Sequence, residues 1–263
     1  MRCAVIIPAR YGSTRYPGKP LVELNGSDGA KTLIRRTWDV AQQIDGADSY
    51  VCTDDERIAD HARGFGAEVI MTSSDARNGT ERCAEAVAHL PDADLIVNLQ
   101  GDAPLTPVWF VEALIDAMRS DADMQMATPV LRCDAHTYSS FVEDRLAGRV
   151  GGTTAVFDHA GRALYFSKEV IPYTGGKLSE DGTCPVFHHV GVYAYRPSAL
   201  GAYPRWESGP LEQLEGLEQL RFMEHGRQVL CVEVQAKGRQ FWELNNPEDV
   251  PRIEAMMAEM GTP

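Results

Sequence analysis

The sequence is short of basic residues and has no long apolar run. Its 25 lysines and arginines stand against 38 aspartates and glutamates, so the formal net charge of the 263 residues is −13. This balance argues against duplex DNA or an anionic membrane as a partner, because a protein binds either of them through a basic surface. No apolar stretch approaches the roughly 20 residues that span a bilayer, and no leader-like segment precedes the first strand-like run. We therefore expect a cytoplasmic protein with no nucleic-acid polymer as partner and no membrane insertion.

Closely spaced cysteines are also missing. The six cysteines are scattered with no C-x-x-C spacing, which argues against structural zinc. A chain of this length buries enough apolar surface to fold without disulfides, so we expect free thiols in a reducing compartment. Hydrophobic residues make up 44% of the sequence and charged residues 24%, as is typical of a globular protein.

Short β runs alternate with helical segments over the first 130 or so residues. We predict strands over 3–7, 49–53, 68–71, 94–99 and 125–130, and helices over 31–44, 55–65, 80–90 and 107–118. This alternation indicates an α/β fold in which a mostly parallel sheet carries helices on both faces.

The pattern changes after about residue 135. Turn-separated strands are predicted over 151–157, 163–167 and 186–195, a glycine-rich loop over 173–183, and a further strand over 229–234. A leucine stripe predicts one continuous helix over 211–226 that ends at Gly226. The last helix is predicted to begin with Asn246 as N-cap and Pro247 at its first position. The second half therefore adds an antiparallel insertion to the α/β domain.

The most informative segment, IPARYGSTRYPGKPL (7–21), follows the first strand directly. It combines the cations Arg10, Arg15 and Lys19 with Gly12, Ser13, Thr14 and Gly18. Ligands of parallel α/β sheets bind at the carboxyl ends of the strands, and glycines let backbone amides approach phosphate oxygens. The segment matches neither the G-x-G-x-x-G fingerprint nor the P-loop. The lack of G-x-G-x-x-G argues against a nicotinamide-dependent oxidoreductase. It favours a polyphosphate site over the alternative, a solvated basic loop.

Asp102 lies in the second informative segment, LIVNLQGDAPL (95–105). It follows a buried strand and a turn glycine, so its carboxylate is expected at the same edge of the sheet. A carboxylate beside a triphosphate is a typical Mg²⁺ ligand. The alternative is a structural role, as an Asx-turn or a cap for the following helix.

The chain resembles the 3-deoxy-manno-octulosonate (Kdo) cytidylyltransferases in seven segments, in order over nearly its whole length. They are segments 7–21, VCTDDERI (51–58), NGTER (78–82), VNLQGDAPL (97–105), ALYFSKEVIPY (163–173), HHVGVYAYR (188–196) and PLEQLEGLEQLRFMEHG (210–226). The resemblance implies a Rossmann-like nucleotidyltransferase fold in one domain over 1–263. Its nucleotide-binding part would cover about 1–135, and its sugar-binding and dimerisation part about 136–240.

The same resemblance implies a reaction. CMP would pass from CTP to the anomeric hydroxyl of Kdo or a closely related 2-keto-3-deoxy sugar acid, and pyrophosphate would leave. The implied cofactor is Mg²⁺, the implied assembly a homodimer, and the implied setting lipopolysaccharide biosynthesis in the cytoplasm.

The resemblance also assigns residues, in agreement with the two motifs. Arg10, Lys19 and Asp102 would act in catalysis, and Asp102 and Asn245 would bind the metal. The other substrate-binding positions are Ala9, Gly12, Ser13 and Arg15 on the triphosphate side, Arg77, Thr80 and Gln100 around the nucleotide, and Lys168, His189, Tyr193, Glu212 and Gln219 around the sugar. Plainer alternatives exist: His189 in a cross-strand pair, Tyr193 in the core, and Glu212 in a first helical turn.

Four positions depart from the pattern of that family. Asn245 stands where the family has a second metal-binding aspartate, Ala103 replaces a glutamate, Lys168 an arginine and Thr154 a lysine. An amide binds Mg²⁺ without supplying charge. If the segment is extended, Glu243, two residues earlier, would lie on the same side and is a candidate to compensate. A catalytically lapsed or altered-specificity nucleotide-binding homologue with a regulatory role is therefore the alternative function.

Overall fold

The computed structural model describes residues 1–13, 15–150, 152–176, 183–239 and 242–260. Its strands are β1 Cys3–Ala9, β2 Glu23–Gly26, β3 Gly29–Thr32, β4 Ala47–Thr53, β5 Glu68–Met71, β6 Leu95–Leu99, β7 Met126–Arg132, β8 Thr154–Phe157, β9 Ala163–Ser167, β10 Phe187–His189, β11 Val192–Tyr195 and β12 Val229–Val234. Its α-helices are α1 Leu33–Ala41, α2 Glu56–Gly64, α3 Gly79–Val87, α4 Val108–Ser120, α5 Ala135–Leu146, α6 Pro197–Ala202, α7 Pro210–Glu215, α8 Leu220–Glu224 and α9 Asp249–Met260.

The predicted parallel sheet is present in the first half. Its strands lie in the order β5-β4-β1-β6, with parallel pairing throughout. All seven residues of β1 are buried, because helices cover both faces of the sheet. One apolar cluster lies on each face: Val5 and Ile7 point to one, and Ala4 and Ile6 to the other. The prediction of an α/β fold with a mostly parallel sheet is therefore confirmed.

The antiparallel insertion enters the centre of the sheet. Strand β11 lies between β6 and β7 and is antiparallel to both, so β7 is not a direct neighbour of β6. Strand β12 pairs with the other edge of β7 in parallel, and β10, β8 and β9 extend the sheet as an antiparallel ladder. The insertion thus belongs to the same sheet as the first half.

The prediction of one strand over 186–195 is wrong. The chain bends at Val190 and Gly191, which separate β10 from β11. Before the bend His189 lies opposite Val130, and after it Ala194 lies opposite Ala127, so the register on β7 changes across the bend. The bend lets β11 reach the edge of β6, which a straight strand on β7 could not do.

The prediction of one helix over 211–226 is also wrong. Helix α7 ends at Gly216, whose φ of +62° is left-handed, and α8 starts only at Leu220. The expected leucine stripe is not buried as one face: Leu220 is fully buried, whereas Leu214 is 83% exposed. Glycine tolerates this conformation where other residues are strained, so Gly216 terminates the helix from within the leucine pattern. Gly226 does follow the end of α8, with φ of +69°.

Several predicted boundaries also shift. The predicted helix over 31–44 starts at Leu33, because residues before it form the β2–β3 hairpin. The last helix starts at Asp249, not with Asn246 as N-cap, since the Asp249 carboxylate accepts from the backbone N–H groups of Asn245 and Asn246. Helix α5 was not expected from the sequence pattern. Of the predicted loop over 173–183, residues 177–182 lie outside the described residues.

Two observations bear on chemistry and environment. Among the described residues, all six cysteines are buried free thiols, and burial raises the pKa of Cys3 to about 12. None of the described helices combines the length and apolar character needed to cross a bilayer.

The helix break gives a stability prediction. We expect Gly216→Ala to lower the free energy of unfolding by about 1 kcal/mol, because a Cβ strains left-handed backbone. Gly201→Ala is the matched control: Gly201 lies in α6 without positive φ, and no atom lies within 4 Å of its added Cβ. Urea denaturation compares the two, and equal effects would contradict the assigned role of Gly216.

Candidate active site

A cavity of about 610 Å³ opens at the carboxyl ends of β1 and β6. Nine of the predicted site residues line it: Ala9, Arg10, Ser13, Arg15, Lys19, Arg77, Gln100, Asp102 and Glu212. A larger cavity of about 830 Å³ lies beside α1. It contains none of the predicted residues, and its cations Lys31 and Arg35 pair with Asp39. The smaller cavity is therefore the candidate site.

The basic loop after β1 folds around the backbone carbonyl of Tyr11. That oxygen accepts from the N–H groups of Ser13 and Gly18, both at 2.9 Å. Gly18 has φ of +72°, and a Cβ there would lie 3.2 Å from the Tyr11 ring. Gly12 is exposed and is not part of the cavity wall, and Thr14 lies outside the described residues.

The loop brings unpaired positive charge to the cavity. Arg10 and Arg15 are exposed, and neither forms an ion pair within the part of the chain that the structure describes. Arg10 Nη1 donates to the carbonyl oxygen of Arg77, at 3.4 Å, and Arg15 Nη2 donates to Asn245 Oδ1 at 2.9 Å. Two guanidinium groups without carboxylate partners are suited to an anionic ligand.

Asp102 also lines the cavity and pairs with the third cation of the loop. Its Oδ2 atom lies 2.7 Å from Lys19 Nζ, and both side chains are largely screened from solvent. Its backbone carbonyl accepts from Leu244 N at 2.8 Å. The second contact holds segment 242–246, which precedes α9, beside the carboxyl end of β6.

That segment contributes two more oxygen-bearing side chains. These are the Glu243 carboxylate and the Asn245 amide, whose Oδ1 atom accepts from Arg15. Burial and then the charge of Asp102 raise the pKa of Glu243. No group of three or more His, Cys, Asp and Glu side chains forms a metal-binding cluster among the described residues. Two carboxylates and an amide are all-oxygen donors, a set that fits Mg²⁺ when phosphates complete its coordination.

A buried ionic network joins the cavity wall to the second half of the chain. Arg221, only 2% exposed, donates to Glu81 at 3.1 Å and to both carboxylate oxygens of Glu212, at 2.7 and 2.6 Å. Arg77 donates to Glu81 from the other side. Although burial acts to raise it, hydrogen bonds from Arg77 and Arg221 hold the pKa of Glu81 below its ordinary value. Glu212 therefore lines the cavity with both oxygens already engaged.

Thr80 and Glu218 differ from the sequence-based expectation. Thr80 is buried, and its hydroxyl forms a hydrogen bond with the Tyr195 hydroxyl. Thr80 is not part of the cavity wall. Glu218, which was not predicted, lines the cavity and accepts from Thr80 N at 3.0 Å. Burial raises the pKa of Glu218. The sequence offered one indication that Glu218 belongs to the site, its position next to the predicted residue Gln219. The prediction of a continuous helix over 211–226 obscured this indication.

Three residues predicted on the sugar side form a buried cluster on β10, β11 and the start of α8. His189 Nε2 lies 2.9 Å from Thr128 Oγ1, the rings of His189 and Tyr193 are 5.6 Å apart, and the Tyr193 hydroxyl donates to Gln219 Oε1. Burial, with a further effect of His188, lowers the pKa of His189 to about 3, so its imidazole is neutral. Gln219 Nε2 is buried and has no hydrogen-bond partner among the described residues.

Lys168 lies at the end of β9, near the cavity rim. Its Nζ would be 3.1 Å from a Cβ on Gly216, which lines the cavity. Its backbone N–H donates to Glu215, which also accepts from Ser167 Oγ. Thr154 instead supports the fold, since its hydroxyl donates to the carbonyl oxygen of Glu169 and accepts from Ile171 N.

The family model described as "Cytidylyltransferase" matches residues 4–229. A 3-deoxy-manno-octulosonate cytidylyltransferase of Maricaulis maris (strain MCS10) is 41% identical, with 99% of each chain covered. One from Chlamydia pneumoniae is 40% identical over 96% of this chain and 92% of its own. An 8-amino-3,8-dideoxy-manno-octulosonate cytidylyltransferase of Shewanella frigidimarina (strain NCIMB 400) is 38% identical over 98% and 99%.

The structure is similar to that of a CMP:2-keto-3-deoxy-manno-octonic acid synthetase complexed with CTP. The TM-score is 0.84 at 33% identity, with 99% of this chain and 100% of the other covered. A glucose-1-phosphate thymidylyltransferase structure described as putative, from Bacillus anthracis, matches with a TM-score of 0.60 at 12% identity. The latter shows a shared fold alone.

The ionic network predicts a large stability effect. We expect Arg221→Ala to lower the free energy of unfolding by about 3–5 kcal/mol, because Glu81 and Glu212 lose a buried partner. Arg149→Ala, which removes the exposed pair with Asp144, should change it by less than about 1 kcal/mol. Urea denaturation measures both. A small loss at Arg221 would mean that water replaces its guanidinium group.

Proposed function

The chain belongs to the cytidylyltransferase family, and on that basis we propose that it transfers CMP from CTP to the anomeric hydroxyl of Kdo or a closely related 2-keto-3-deoxy sugar acid. Pyrophosphate is the second product. The full-length similarity to named Kdo cytidylyltransferases and to a CTP-bound synthetase supports this activity. The identity to an 8-amino-sugar enzyme is almost as high, so the proposal covers a small class of acid sugars.

One observation carries the proposal: in a protein of net charge −13, two arginines line the cavity without an ion pair to any described residue. Arg10, Arg15 and Lys19 bind the triphosphate, while backbone groups of Ala9 and Ser13 lie along it. These cations stabilise the charge that develops as pyrophosphate leaves the α-phosphorus. Arg77 and Gln100 contact the nucleotide, and Thr80 supports Glu218 instead of binding the nucleotide directly.

Asp102 binds Mg²⁺ in this proposal, with the amide oxygen of Asn245 as a neutral second ligand. The all-oxygen donor set supports this metal. When bound, the metal neutralises phosphate charge and lowers the pKa of the sugar hydroxyl. Lys19 holds the Asp102 carboxylate in place, which keeps that oxygen at the phosphate side of the cavity.

The sugar lies on the second-half side of the cavity. Lys168 binds its carboxylate as a point charge, and neutral His189 exchanges hydrogen bonds with its hydroxyls. Tyr193 and Gln219 complete that surface, where Gln219 Nε2, which has no partner among the described residues, is available as a donor. Glu212 lines the cavity and acts by holding the buried Arg221 guanidinium group.

We propose one catalytic domain over 1–263, with the nucleotide part at about 1–135 and the sugar and dimer part at about 136–240. Large apolar side chains are exposed in the second part, among them Leu146, Leu164 and Tyr173 at 84%, 62% and 94%, which supports a homodimer there. The CMP-sugar would supply lipopolysaccharide biosynthesis from the cytoplasm.

The direct test is pyrophosphate release from CTP with Kdo, with its 8-amino analogue and with no acceptor. We expect release with at least one acid sugar, dependent on Mg²⁺. Asn245 motivates the alternative, a lapsed nucleotide-binding homologue. CTP binding without release for every acid sugar tested, unrescued by Asn245→Asp, would favour that alternative.

Asp102→Ala should reduce the rate of pyrophosphate release about 100-fold or more. The variant loses a charged metal ligand that stabilises the transition state by several kcal/mol. Its fold should survive, because crevice carboxylates contribute little stability. Asp116→Ala, which changes an exposed side chain of α4, is the control and should leave the rate unchanged. A normal rate in Asp102→Ala would remove this residue from the metal site.

A further inference from the structure

Segment VCTDDERI (51–58) is one of the seven that carry the resemblance, yet none of its residues lines the candidate cavity. It covers the end of β4 and the start of α2. The parallel register places Thr53 of β4 opposite Ala9 of β1, so the residues that follow the two strands lie side by side. Those that follow Ala9 form the basic loop. The segment is therefore a neighbour of the loop that carries the cations of the site.

Arg57 of this segment contacts the loop directly. Its guanidinium carbon lies 3.3 Å from the centroid of the Tyr11 ring, and a guanidinium group over an aromatic face is attracted to it. The partly buried Tyr11 also packs against the apolar cluster that contains Val5 and Ile7. Arg57 thus adds a contact from α2 to a ring that the core already supports.

The orientation of this guanidinium group is set by Asp55. Asp55 Oδ1 accepts from Arg57 Nε at 2.9 Å, and Oδ2 accepts from Nη2 at 2.6 Å. A two-point contact of this kind fixes the plane of a guanidinium group. Asp55 Oδ1 also accepts from the backbone N–H of Arg57 at 3.0 Å, which caps α2. The start of the helix and the position of the arginine side chain therefore depend on the same carboxylate.

Tyr11 is in turn the residue around which the basic loop closes. Its carbonyl oxygen accepts from the N–H groups of Ser13 and Gly18, and a Cβ on Gly18 would lie 3.2 Å from Tyr11 Cζ. The three cations of the loop lie before, within and after this closed turn. A displacement of Tyr11 would consequently move all three.

We propose that Arg57, oriented by Asp55, is a positioning residue that holds Tyr11 in place and keeps the cations of the basic loop in the arrangement that binds the triphosphate. Neither Arg57 nor Asp55 lines the cavity, so both act through Tyr11. The inference rests on the proposed CTP-dependent function. Bound CTP itself holds the cations, so the loss of Arg57 affects the binding of CTP and leaves the later chemical step unchanged.

The test measures pyrophosphate release at varied CTP with a saturating acid sugar. We expect Arg57→Ala to raise the KM for CTP about three- to fivefold with kcat within about twofold, the pattern of lost uniform binding. The effect is small because the Arg57 side chain is 60% exposed, and such cation–π contacts are weak. Tyr11→Leu should also raise this KM. The double variant should raise it no further than Tyr11→Leu alone, because both changes remove the same contact.

Asp55→Asn separates positioning from long-range charge. Asparagine caps a helix as well as aspartate does but offers one acceptor oxygen in place of two. The change removes a negative charge, so electrostatics alone would lower the KM for CTP. We expect a rise of about twofold instead, since Arg57 loses its two-point contact.

Arg63→Ala is the matched control, because Arg63 lies on the same helix and pairs with the exposed Glu56 and Asp60. It should leave KM and kcat unchanged. Thermal unfolding of each variant detects a purely structural role: a lower melting temperature in Arg57→Ala with an unchanged KM for CTP would overturn the inference, while pyrophosphate release would still support the proposed function.

Isothermal titration of the same variants with CTP gives the comparison without turnover. The Kd for CTP should rise by the same factor in Arg57→Ala as the KM does. If the unaltered protein binds CTP but releases no pyrophosphate with any acid sugar, the proposed transfer fails and this shift in Kd still decides the role of Arg57. Absence of CTP binding by the unaltered protein would overturn both.

Discussion

The close approach of two strand ends determines the geometry of this site. Strands β1 and β6 are parallel neighbours, and the chain at their carboxyl ends lies close together. A Cβ at Gly101 would lie 2.5 Å from the carbonyl oxygen of Pro8. Nonbonded atoms do not approach that closely, so glycine is required there. The basic loop that follows β1 and the carboxylate that follows β6 consequently meet, and Lys19 contacts Asp102. Opposite charges separated by 83 positions in sequence become direct partners in the fold.

Pairing, more than net charge, sets the electrostatic character of the cavity. Glu212, which lines the cavity, and Glu81 are both engaged by Arg221. Arg10 and Arg15, which also line the cavity, have no carboxylate partners in the described chain. The net acidic protein thus presents positive charge where the triphosphate is proposed to bind. Arg221 also connects α3 to α7 and α8, so the nucleotide and sugar sides are held by one buried network.

Patterns local in sequence were read correctly. The strands at 68–71, 163–167 and 229–234 occur at the predicted residues, since alternating or continuous apolar runs reflect burial within a few residues. The two incorrect predictions, at 186–195 and 211–226, share a cause. In each, a glycine changes the backbone direction, at Gly191 and Gly216, because a distant strand or side chain favours the bent form over the regular one.

The sequence by itself determined the α/β class, the basic loop after β1 and the position of Asp102 at a strand end, because strand order and loop composition follow from short-range periodicity and residue chemistry. Tertiary structure alone decided which charges are neutralised. Glu212 meets Arg221, Asn245 meets Arg15, and Glu218 reaches the cavity only because the chain breaks at Gly216. These ion pairs and hydrogen bonds depend on where bends in the chain bring separate segments together. In a partly buried site, the effect of a charged side chain depends on the groups that lie next to it.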